Sequence, residues 1–95
     1  MSQAIGLYNA GTEALMRGEL TTAIALLKRA ISAVGPAAIM GPCWLNLGHA
    51  LRKAGSAGEA IEAFQTAIKI NSHDADAWYS LGNTRFASGD HDAAI

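Results

Sequence analysis

Trp44-Leu45-Asn46-Leu47-Gly48-His49-Ala50-Leu51 is followed, 34 residues on, by Trp78-Tyr79-Ser80-Leu81-Gly82-Asn83, and this pairing decides the fold. The agreement continues downstream, where Gly55, Ala60 and Ile61 recur as Gly89, Ala94 and Ile95. A fainter copy lies upstream in Leu7, Ala10, Gly11, Gly18, Ala23, Ile24, Leu27, Ala30 and Ile31. It is displaced by 37 residues from the middle copy, so three residues are inserted between the two. A fixed period of this length means one supersecondary unit stacked on itself.

Within each copy the apolar spacing is helical. Leu7, Ala10, Gly11 and Ala14 fall at i, i+3, i+4 and i+7, as do Trp44, Leu47, Gly48 and Leu51. A second helix follows each first one, through Ala23, Leu27 and Ala30, then through Ala60, Phe64 and Ala67. No β-branched alternation points to a strand. Gly18, Gly55 and Gly89 stand where the first helix of each unit stops and supply a left-handed residue. Ser56 with Glu59 reads as a capping box. Asp74 and Asp90 read as N-caps. Gly41-Pro42 places a proline in the first turn of the middle unit. The spacing predicts helices near 3–17, 20–34, 42–54, 57–70 and 75–88, with a further one starting at about 91.

Gly11, Gly48 and Gly82 recur inside the first helices, although a glycine there costs about 0.5–1 kcal/mol against alanine. Close approach of the paired helix accounts for this, with Ala23, Ala60 and Ala94 expected to face the glycines. Trp44, Trp78, Phe64 and Leu27 are expected to fill the gaps between units as core residues.

The bulk properties narrow the function. The chain has 95 residues, 51% apolar and 6% aromatic, and a net charge of −1. That suits a single α-helical domain over 1–95 and gives no electrostatic pull toward nucleic acid or an anionic membrane. No apolar run reaches the roughly 18 residues of a membrane span, and Met1-Ser2-Gln3-Ala4 lacks the basic start of a secretory signal. The single Cys43 forms no internal disulfide, which fits a cytoplasmic protein.

No catalytic constellation stands out, so the chain reads as not an enzyme and as needing no cofactor. His49, His73 and His91 are scattered and without a second cysteine, which argues against a metal site. Cys43 at a helix start reads either as a thiol of slightly lowered pKa or as a small buried hydrophobe, and the second is preferred. Asp74 and Asp76 imitate an acid pair, but capping and exposure account for them.

Together these residues resemble the tetratricopeptide repeat. The likeness runs through Trp44 to Leu51, then Gly55, Ala60, Phe64 and Ala67, and resumes from Trp78 through Gly89 to Ile95. Residues 4–37 look like a degenerate first unit, with Leu7 in the tryptophan slot. The implied repeats are about 4–37, 41–74 and 75–95, the last incomplete. Ser72 departs from the proline that usually ends a repeat, and Arg85 takes a slot that is usually aromatic and inward-facing. The insertion near 35–40 is expected to lengthen one inter-repeat turn. Met1 reads as a natural start, whereas Ile95 falls early in a helix. The expectation is therefore a fragment continued beyond Ile95, or a bare apolar face covered by another copy.

The resemblance implies an all-α fold, a right-handed superhelical stack of antiparallel hairpins whose first helices line a concave face. On that face it places Tyr8, Asn9, Thr12 and Met16; then Leu45, Asn46, His49, Arg52 and Lys53; then Asp76, Tyr79, Ser80, Asn83 and Phe86. Such mixed polar and aromatic chemistry suits an extended peptide. Asn9 and Asn46 share a slot, resembling the asparagine ladder of O-linked N-acetylglucosamine transferases. The row breaks at Ser80, and asparagine is common in that slot across the family. The carboxylate clamp for chaperone tails is not matched, because Tyr8, Thr12, Asp76 and Ser80 replace the groups it needs. The implied function is a non-catalytic scaffold that binds a peptide or protein partner in the groove. Two alternatives stand beside it: the substrate-recruiting arm of a larger enzyme such as a glycosyltransferase or sulfotransferase, and self-assembly as a homo-oligomer through the uncapped C-terminal face.

Overall fold

A computed structural model describes residues 3–88. It contains five helices: α1 (Gln3–Met16), α2 (Leu20–Ser32), α3 (Ala37–Lys53), α4 (Ala57–Ile70) and α5 (Ala75–Ala87). No strand occurs among the described residues. The expected Asp90 cap, the glycine stop at Gly89 and the helix from about 91 lie outside them.

The turns inside the hairpins are set by glycine. Gly18 has φ +79° and Gly55 φ +90°. After α1, Glu19 N–H donates to the Ala14 carbonyl (2.9 Å) and Gly18 N–H to that of Leu15 (3.0 Å). After α3, Ser56 N–H donates to the Leu51 carbonyl (2.8 Å) and Gly55 N–H to that of Arg52 (3.1 Å). Both are Schellman closures, which satisfy the last carbonyls of a helix and reverse the chain. After α2 the left-handed place falls instead to Val34, at φ 51°. A β-branched side chain there is strained.

Three local expectations are corrected. Helix α3 starts at Ala37, so the inserted residues extend a helix rather than a turn, and Pro42 lies inside it. Pro36 opens the helix with φ −55°, and its carbonyl accepts the Ile39 N–H at 3.0 Å. Ile39 and Met40 are half-buried and Gly41 is buried, so packing offsets the missing Pro42 N–H, a cost of about 3 kcal/mol. The capping box is the second correction. Ser56 occupies the N-cap, yet its side chain makes no capping hydrogen bond. Asp74, in contrast, caps α5 as expected, accepting the Ala77 N–H at 3.1 Å. The third concerns the notches at Gly11 and Gly48, which face large side chains rather than Ala23 and Ala60, while Ala94, expected opposite Gly82, lies outside the described residues. A Cβ on Gly11 would stand 2.8 Å from Cγ of Leu27, and one on Gly48 would stand 2.6 Å from Cε1 of Phe64.

Leu27 and Phe64 are fully buried and anchor a core with Leu47, Leu51, Ala60, Ala63 and Leu81. Burial of side chains this size contributes about 1.5–3 kcal/mol each. Alanines 23, 30, 60 and 67 are also fully buried, which lets the helices approach closely. Trp44 is half-buried against this core. Trp78 is not a core residue: it is 53% exposed, and its indole N–H donates to the Ser72 carbonyl at 2.8 Å. Arg85 is likewise exposed.

Each helix packs on the next along the chain. Beyond that, the backbone of α3 comes close to those of α1 and α5, whereas the backbones of α2 and α4 stay apart and are spanned by the Lys28–Glu59 side-chain pair. Helices α1, α3 and α5 therefore form the closer-packed inner layer of a curved stack, and α2 and α4 splay apart on the outside.

Candidate functional site

The 3.6-residue period puts two faces on each inner helix. On α3, Trp44, Leu47 and Leu51 point toward the outer helices, and Asn46 and His49 point toward α1 and α5. Asn46 Nδ2 donates to Thr12 Oγ1 on α1 at 3.0 Å. His49 Nε2 lies 3.6 Å from Asp76 Oδ1 on α5. The middle helix thus reaches both neighbours through polar side chains on the same face.

His49 is half-buried, with its ring edge-on to Phe64 at a centroid distance of 5.3 Å and an interplanar angle of 72°. Burial pushes its pKa below the ordinary imidazole value. Asp76 opposes that shift, and Arg52 and Lys53 add to it. At neutral pH the His49–Asp76 contact is therefore a polar contact of a neutral imidazole, not an ion pair. Ser80 Oγ donates to the same Asp76 oxygen at 3.0 Å. Because the carboxylate stands between the hydroxyl and the imidazole, His49 is not placed to take the Ser80 proton, and this is not an activated nucleophile.

The expected groove residues fall into three groups. Asn9, Met16, Arg52, Lys53, Asp76, Tyr79, Asn83 and Phe86 are exposed. Tyr8, Thr12, Leu45, Asn46 and His49 are half-buried, and Tyr8 and Leu45 also pack against the core. Ser80 is buried, with its hydroxyl committed to Asp76. Tyr8, Asn9, Thr12 and Met16 line an open hollow of about 530 Å³ on α1 with Glu13 and Arg17, which pair at 3.5 Å. The Asn46 amide is not available in full as a clamp, since its N–H₂ already serves Thr12.

The links from α3 to α1 and to α5 were not anticipated from sequence. Thr12 and Asn46 stand in different repeat slots, since Thr12 corresponds to His49, and only the stacking of the two units brings the groups together. Cys43, the other candidate for chemistry, is fully buried and burial pushes its thiol up, in line with a small hydrophobe. Among the described residues no three His, Cys, Asp or Glu side chains gather to hold a metal ion, and no helix is long and apolar enough to cross a membrane.

Residues 48–89 match the family model described as a TPR repeat. No curated protein matches the chain.

Proposed function

With residues 48–89 belonging to the tetratricopeptide repeats and five helices consistent with about two and a half such units, we propose that this protein is a non-catalytic module that binds an extended peptide or a partner protein across α1, α3 and α5. Repeats of this kind are in general protein-interaction folds. The observation that supports the reading is the inner layer itself. Its three helices carry exposed amides (Asn9, Asn83), an exposed phenol (Tyr79) and the exposed cations Arg52 and Lys53. Amides both donate and accept, which matches the alternating groups of a peptide backbone.

Selection of binders from a displayed peptide library, followed by affinity measurement, tests this. The triple variant N9A/Y79A/N83A changes exposed side chains only, so its helical circular dichroism and melting curve should be unchanged. Selected peptides should bind it about tenfold or more weakly, as expected for lost interface anchors. Peptides that bind the variant as tightly as the parent would remove the groove as their site.

A further inference from the structure

We propose that the outer face carries a second binding site, a cleft between α2 and α4 that takes an apolar side chain flanked by a cationic one from a partner peptide. Because the outer helices splay, α3 is left as the floor between them. Ile31, Trp44 and Leu47 line this cleft, whose volume is about 320 Å³. That is at the lower end of the roughly 300–1,000 Å³ typical of ligand sites and suits one aliphatic side chain against an indole.

The rim supplies the charge preference. Glu59 and Glu62 stand on the α4 side and Lys28 on the α2 side. Lys28 Nζ lies 3.8 Å from Glu59 Oε1, with the two side chains 54% and 61% exposed. An exposed pair at that distance is weak and readily exchanged. Glu62 makes no ion pair among the described residues. Two carboxylates against one ammonium leave a net negative rim over an apolar floor, complementary to an arginine or lysine beside a leucine-like group.

The repeat provides an internal control. One unit on, Ile68, Trp78 and Leu81 repeat the floor of Ile31, Trp44 and Leu47. There the rim carries Lys69 and Arg85 and, among the described residues, no carboxylate. Among the described residues the two linings share an apolar floor and differ in the charges beside it, so the cationic probe is expected at the first.

The chain has two tryptophans, one in each cleft. In W78F, titration with the probe acetyl-Leu-Arg-amide should shift Trp44 emission saturably. In W44F, the Trp78 signal should show no saturable shift. Adding E59Q/E62Q to W78F should weaken binding about fivefold, and the neutral probe acetyl-Leu-Gln-amide should lose a similar factor. Adding K28Q should tighten binding about twofold by releasing Glu59 from its competitor. Sodium chloride should weaken binding of the cationic probe to the otherwise unchanged W78F protein, which guards against a variant that fails to fold. Absence of saturation, equal affinity for the two probes, an equal response from Trp78, or indifference to E59Q/E62Q would each overturn the site. None of these outcomes bears on the inner groove.

Discussion

The ring of Phe64 occupies the space a side chain at Gly48 would need: a Cβ there would lie 2.6, 2.7 and 2.9 Å from three of its ring carbons. This contact joins α3 to α4, and Gly11 with Leu27 repeats it between α1 and α2. Large residue into glycine notch is thus the device that closes each described hairpin.

Gly48→Ala should therefore destabilise the protein by about 1–3 kcal/mol through overpacking, although alanine is the better helix former. Gly6→Ala, at a helical glycine with nothing within 4 Å of its added Cβ, should stabilise by about 0.5–1 kcal/mol. Urea denaturation of the two variants measures both. Equal effects would mean that the Phe64 contact sets nothing.

The turns offer a similar contrast. Gly55→Ala forces a side chain into φ +90° and should cost about 1–2 kcal/mol. Val34 stands at φ 51° and is exposed. Val34→Asn should raise stability by about 0.5–1 kcal/mol, because asparagine tolerates the left-handed region better than a β-branched residue. A loss of stability in that variant would show that Val34 is held by packing instead.

The Asn46–Thr12 hydrogen bond links the inner helices of two units. A double-mutant cycle with Asn46→Ala and Thr12→Val should give a coupling energy of about 0.5–1.5 kcal/mol. Additive single effects would leave the bond without energetic weight.

His49 makes stability depend on pH. Its folded-state pKa is lowered, first by burial and then by Arg52 and Lys53, with Asp76 opposing. The folded protein therefore holds the neutral ring, and the associated stability is fully present above the unfolded value of about 6.5 and is lost as pH falls below it. Stability of H49Q should fall less steeply than that of the parent between pH 7 and 5. Removing the opposing charge with D76N should move the His49 titration, followed by NMR, further down. An upward movement would mean that Asp76 does not face the ring.

The hairpins were legible in the sequence because their signals are local. A 3.6-residue period, a glycine at φ > 0 and a cap at Asp74 act within a few residues, so helices α2, α4 and α5 lie close to where the pattern puts them. Helix α3 does not start where Pro42 suggested. A proline rule describes the backbone alone, and burial of Ile39, Met40 and Gly41 against the rest of the stack outweighs it.

Placement of side chains across units is a different matter. Trp44 and Trp78 occupy the same repeat slot, yet one is half-buried on the core and the other mostly exposed, and no reading of spacing separates them. Asn46 and Asn9 share a slot too, and only one of them finds a threonine hydroxyl. The chain order specifies which residues share a helix face, since that follows from covalent geometry and the α-helical period. Which faces then meet, which polar groups pair across units and where a cleft remains open depend on how one hairpin rests on the next, through contacts between units such as Asn46–Thr12, whose residues lie 34 positions apart in the chain.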